Sequence, residues 1–184
     1  MDITVIALAL ILFLVVFAII QYNKLIRLNI QVDEGFSQIE VQLKRRADLI
    51  PNLVETVKGY ATQEREVFER VVQARAASTT ASTLPAVAAA DGALTNALRG
   101  LLAVAEAYPD LKASTNFAEL QLELANTENR IQAALRFYNG NIRENNNKVQ
   151  QFPSNVIAGM YSFTPREFFE IEIPEMREAP QVSF

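Results

Sequence analysis

Histidine and cysteine are both missing from this chain of 184 residues. Their absence excludes a Ser-His-Asp triad, a Cys-His pair, a thiolate nucleophile, and any zinc, haem or iron–sulfur site built on those side chains. It also excludes disulfides, while leaving the redox compartment open, because a chain without thiols suits either side of a membrane. A positive charge excess is missing too. With 17 basic and 21 acidic side chains the net charge is −4, which argues against nucleic acid as a partner. No Gly-rich loop cradles a phosphate and no strand–turn–helix unit appears, so no cofactor and no metal are expected.

What is present begins with a long apolar block. Residues 3–20 carry no charge, and Thr4 is their only polar side chain. An 18-residue helix rises about 27 Å, close to the ~30 Å hydrocarbon core of a bilayer. A cleaved signal peptide fits poorly: no positive region precedes the run, the run is too long, and no small-x-small site stands before Gln21. A core helix fits poorly as well, since residues 5–20 are apolar without a break. The block therefore predicts a membrane anchor over residues 1–21, with the lipid bilayer as partner through 3–21. Lys24 and Arg27 follow the span and no basic residue precedes it. The positive-inside rule then puts the N-terminus outside and the following domain in the cytoplasm, at the bacterial inner membrane.

From 22 to 75 there are only one proline and two glycines. Apolar positions step by four and three through Ile39, Leu43, Arg46, Ile50, Leu53, Val57, Tyr60, Glu64, Val67, Val71 and Ala74. This heptad rhythm predicts a long helix over 22–75, packed as in bundles and coiled coils. Pro51 lies inside it and is expected to kink the helix or free a hydrogen bond near Ala47. The uncharged stretch at 76–90, with Pro85 and Asp91-Gly92, reads as a loop over about 76–92. A second helix is expected over 93–107 and a third over about 117–151, after a capping-box-like Asn116 and Glu119. The third carries the same seam through Phe117, Gln121, Leu124, Glu128, Ile131, Leu135, Tyr138, Ile142, Asn145 and Val149. A short apolar helix should follow Pro153. The predicted fold is all-α: an elongated antiparallel helical bundle over 22–163, then an apolar, acidic tail over 164–184.

Several constellations invite a chemical reading. Arg46, Glu64, Gln121, Glu128 and Asn145 are polar at seam positions and predict a buried polar layer that fixes helix register, with Arg46–Glu128 or Glu64–Arg130 as pairs. The basic cluster Lys44-Arg45-Arg46 lies about 36 Å beyond the span along a straight helix, several Debye lengths from lipid. It reads as a solvated face with ion pairs to Asp48 and Glu40. Glu64, Glu66 and Glu69 alternate with Arg65 and Arg70 and read as a surface ion-pair lattice, not a metal site. The asparagines of 139–147 are poor helix formers and read as a tolerated exposed face. Phe163, Phe168, Phe169, Ile171 and Ile173 form a possible interface, since an exposed aromatic strip would be a liability.

The strings YNKLIRL and VDEGFSQIEVQLKRRADLIPNLVETVKGYATQERE within 22–66, LLAVAEAYPDLKAS at 101–114, NFAELQLELANTENRI at 116–131, YNGNI at 138–142 and QFPSNVIA at 151–158 resemble the LemA family. The resemblance covers about 22–169. It implies a bacterial membrane protein with one N-terminal span and an antiparallel helical bundle, with no known enzymatic activity. Relatives take part in magnetosome membrane formation, and genes of the family often sit near membrane-bound metalloproteases. Gly35-Phe36 stands where Ala-Trp is common, and Asn146 where Tyr is expected. The functional expectation is a non-enzymatic, membrane-anchored scaffold that self-associates into a homo-oligomer. The alternative is an adaptor or regulator of another membrane protein, such as a membrane-bound metalloprotease. An enzyme or ligand-binding protein would need a closed pocket with convergent polar groups.

Overall fold

A computed structural model describes residues 2–170. Among them there are six helices: α1 (Ile3–Lys58), α2 (Arg65–Thr80), α3 (Leu84–Glu106), α4 (Pro109–Lys112), α5 (Thr115–Gln150) and α6 (Ser154–Met160). The chain is all-α, a long N-terminal helix with an apolar first third followed by a helical bundle. It forms two compact units. Among the described residues the first comprises 2–38 and 134–168, and the second comprises 39–133 with 169–170.

In the first unit the early part of α1 pairs with the late part of α5. Asn141 Nδ2 donates to the Gln31 carbonyl at 3.0 Å, while further along α1 Gly35 faces Tyr138. As the α1 number rises the α5 number falls, so the two helices run antiparallel. Leu25, Val149, Ile157 and Ala158 form the core beside Ala18, Tyr22 and Phe163. A Cβ placed on Gly35 would lie 3.3 Å from Tyr138 Cα. The glycine thus permits a close helix approach. Ser154 is buried, and its hydroxyl donates to the carbonyls of Lys148 (2.7 Å) and Gln151 (2.9 Å), closing the C-terminal end of α5 before α6 begins.

The second unit is a four-helix arrangement of Ile39–Lys58, α2, α3 and residues 115–133, with α4 as a single turn before α5. Its core includes Ile50, Leu53, Val57, Phe68, Val71, Leu94, Leu98, Leu101, Leu111 and Phe117. Each such side chain removed from water stabilises by roughly 1.5–3 kcal/mol. Short connections at 59–64 and 81–83 make successive helices antiparallel.

The predicted helix over 22–75 is two helices. It breaks after Lys58, where Gly59 and Tyr60 turn and Ala61 N–H bonds the Val57 carbonyl at 2.9 Å. The heptad count runs through this turn unchanged, so periodicity alone could not reveal it. Tyr60 is consequently exposed, and Glu64 sits at the start of α2 rather than in a seam.

The expected loop over 76–92 is mostly helix. α2 continues to Thr80, with Ser78, Thr79 and Thr80 hydroxyls bonded back to carbonyls of Arg75, Ala76 and Ala77. α3 starts at Leu84 instead of residue 93. Thr83 Oγ1 accepts from Ala86 N–H at 3.4 Å, and Pro85 occupies the first turn, where a missing N–H costs nothing. Pro85 thus starts a helix rather than breaking one. Asp91 and Gly92 lie inside α3 because Asp91 is held by a partner on α1.

α1 remains helical through Pro51. Proline has no N–H to give the Ala47 carbonyl four residues back. Arg75 of α2 supplies the substitute: its Nε donates to Ala47 O at 2.8 Å.

Candidate functional site

The second unit holds one buried charged cluster, centred on Arg46. The heptad seam carries Arg46 inward, and 4% of it is exposed. Its Nη1 lies 2.8 Å from Asp91 Oδ1 on α3 and 3.2 Å from Glu128 Oε2 on α5, while Nη2 donates to Thr95 Oγ1 at 2.8 Å. Three helices are thereby tied to one guanidinium, whose fork-shaped donors suit several oxygens at once. Glu128 is only partly covered; its Oε1 accepts from Gln132 Nε2 at 3.0 Å. Burial pushes the Asp91 carboxyl above the usual carboxylate range; Arg46 opposes this and the Glu128 charge adds to it.

Arg46 and Glu128 open onto a groove of about 820 Å³ between α3 and α5. Leu98, Leu102, Leu122 and Leu124 make its floor apolar, with Arg99 and Glu106 also lining it. Leu122 is 64% exposed. Gln121 lines the same groove and is exposed, so it joins the groove rather than a buried layer.

The predicted polar layer is therefore split. Arg46 and Glu128 pair as expected, but their third partner, Asp91, lay in the segment read as loop and was missed. The signal available was an acidic residue amid Ala and Leu at helical spacing. Glu64 and Arg130 form no ion pair among the described residues. Asn145 is buried in the first unit, whereas the Arg46 cluster belongs to the second. Lys44 pairs with Asp48 at 3.2 Å, not with Glu40, and Arg45 pairs with Glu123 on α5. Arg65 and Glu69 form an exposed (i, i+4) pair at 3.9 Å. Among the described residues no group of three or more Asp and Glu side chains gathers as a metal site would require.

The asparagine run is not an idle face. Asn146 Nδ2 donates to the Arg166 carbonyl (2.9 Å) and its Oδ1 accepts from Arg166 N–H (2.8 Å). This two-way amide clasp, with Tyr138 Oη donating to the Glu167 carbonyl (3.1 Å) and an Arg166–Asp33 ion pair, straps the segment after α6 onto α1 and α5. Of the predicted interface residues, Phe163 packs in the first unit's core cluster, Phe168 is exposed and Phe169 is buried. Ile171 and Ile173 lie outside the described residues.

The LemA family model matches residues 35–184, across the Arg46, Asp91 and Glu128 positions and the strap. The chain belongs to the LemA family. Magnetosome protein MamQ 2 of Paramagnetospirillum magneticum is 25% identical to this LemA-family chain over 178 residues, covering 83% of the chain and 65% of the relative. Magnetosome protein MamQ of Magnetospirillum gryphiswaldense is 23% identical over 177 residues, covering 82% and 65%. Protein LemA of Metamycoplasma hominis is 27% identical over 137 residues, covering 74% and 63%. The chain spans just under two thirds of the length of these curated relatives. With its apolar N-terminal helix, this LemA-family protein is membrane-associated.

Proposed function

We propose that this protein is a non-enzymatic, membrane-anchored scaffold that self-associates and helps organise the membrane it sits in. The observation that carries the reading is the α3–α5 groove. It is open and apolar-floored, with the half-covered Glu128 among the polar groups beside its leucines. Exposed apolar surface of this kind is typical of sites that meet another chain. The magnetosome proteins among the relatives are in keeping with a role in membrane organisation. Lys24 and Arg27 follow the span and no basic residue precedes it, which supports a cytoplasmic bundle at the bacterial inner membrane.

The test is the mass of the full-length protein extracted in mild detergent, by light scattering corrected for bound detergent. A defined multiple of 20.5 kDa is the expected result. A monomer overturns self-association and turns the groove towards a different membrane protein, such as a metalloprotease, to be sought by crosslinking in the native membrane. Since the chain has no cysteine, single introduced cysteines before and after the span report the orientation by labelling from either side.

A further inference from the structure

α5 and α6 bring a second apolar surface to the end of the membrane span. In the first unit Asn141 bonds Gln31 and Tyr138 lies against Gly35, so α5 and α1 residue numbers that face each other sum to about 173. Leu25 and Val149 share one core cluster on the same register. Carried on at 1.5 Å per residue, the chain reaches Phe152 at the level of Gln21 and Tyr22, where the apolar run ends. There α5 stops and α6 turns back. Ile157 and Ala158 of α6 pack in the cluster that includes Ala18, a residue of the span itself. Ser162, with φ 59°, reverses the chain so that Phe163 returns onto Tyr22 at 6.0 Å between ring centroids; Tyr161 meets the same ring at 4.5 Å.

The outward side of this turn is uncharged and exposes large apolar side chains beside Gln151, Asn155 and Ser162. Phe152 is 82% exposed, Met160 72%, and Val156 and Tyr161 are also exposed. Between Lys148 and Arg166 the chain carries no charge. Lys24 and Lys148 lie about one turn further from the span, at one level by the same register. Apolar and aromatic side chains at the span's end with lysines one turn beyond match the order of a bilayer's acyl boundary and phosphate zone.

We infer that the turn formed by Phe152 and α6 is a second membrane contact, buried in the acyl–headgroup boundary beside the span, so that the bundle meets the bilayer at two places. The occupant is the lipid surface, because the face continues the surface of the spanning helix through Ala18 and Tyr22. The inference rests on residues 3–20 crossing the bilayer, and the test separates the two.

The chain contains no tryptophan, so a single introduced one is its only indole. The full-length variants Phe152→Trp, Met160→Trp, Phe13→Trp and Phe137→Trp are reconstituted in phosphatidylcholine vesicles. Quenchers are lipids brominated high or deep on the acyl chain, or aqueous iodide. Phe137 lies about 22 Å along α5 from Phe152 and serves as the solvent reference. Phe152→Trp and Met160→Trp should lose emission to the shallow bromines and be shielded from iodide, Phe13→Trp should lose emission to the deep bromines, and Phe137→Trp should respond to iodide alone. If Phe13→Trp is quenched by lipid while the 152 and 160 probes respond to iodide, the span stands and the second contact is wrong. Probes at 152 and 160 shielded from both quenchers also overturn it, and point to a second protein copy over this face. A Phe13→Trp probe that lipid does not quench removes the spanning reading and the inference with it. Should Phe152→Trp fail to fold, Met160→Trp carries the test alone.

Discussion

Arg46 ties α1, α3 and α5 together through one guanidinium. Buried with two carboxylates and a hydroxyl around it, it cannot be removed without leaving Asp91 uncompensated in the core. Breaking a buried pair from one side costs about 3–5 kcal/mol, whereas an exposed pair contributes about 0–1 kcal/mol. Arg46→Ala is therefore expected to lower the unfolding midpoint of the full-length protein in detergent far more than Arg45→Ala, which loses only the exposed contact to Glu123. Thermal melts followed by circular dichroism measure both, and equal effects would refute the role given to Arg46. Asp91 adds a pH dependence. Its folded-state pKa lies above the ordinary carboxylate value of 3.8. The folded protein therefore binds the proton more tightly than the unfolded chain. The associated stability is fully present below 3.8 and is lost as pH rises through the folded value. Asp91→Asn should flatten the stability-versus-pH curve across that window, as paired melts at stepped pH would reveal.

Among the elements, α1 depends on α2 at its proline. Arg75 bonds the one carbonyl that Pro51 deprives of its helical donor. The pair should show coupling. Arg75→Ala is expected to cost about 1 kcal/mol in the natural sequence. In a Pro51→Ala background, where the residue 51 N–H can serve Ala47, it should cost measurably less. A double-mutant cycle by denaturant unfolding gives the coupling, and strict additivity would exclude it. The same element scale explains what could be read in advance. The core faces of α1 and α5 were legible because Ile39, Ile50, Leu53, Val57, Ile131, Leu135 and Ile142 keep a heptad rhythm that only a packed helix requires. The turn at 59–64 was not legible, because its residues continue that rhythm while the backbone reverses. The start of α3 was misread because a proline at a first turn and a proline in a helix interior look identical in sequence; what separates them is the Thr83 cap before it.

Across the whole molecule, each unit has its own core and its own polar ties, and the apolar surfaces left over differ in kind. The face at Phe152 and Met160 continues the membrane span; the α3–α5 groove does not. If the groove mediates self-association, Leu122→Glu should shift the detergent-corrected mass towards the monomer while leaving the melting midpoint nearly unchanged, since Leu122 contributes little to the core at 64% exposure. An unchanged mass would move the interface elsewhere. Phe152→Glu belongs to the other surface and should leave the subunit number unaltered.

By itself the sequence determined the membrane-compatible helix, the all-α class, the seams of α1 and α5 and the family resemblance, and it offered Arg46–Glu128 as one of two alternative pairs. These follow from local composition and from periods of 3.5 to 3.6 residues, which a helix imposes on whatever it buries. The tertiary structure alone decided the rest: that Asp91 completes the Arg46 cluster, that Arg75 serves the Ala47 carbonyl, that Asn146 clasps the strap, and that α6 returns to Ala18 and Tyr22. Each of these joins residues from 20 to about 140 positions apart. Their partners are set by where turns fall, and a turn of a few residues leaves no periodic trace in the helices it connects.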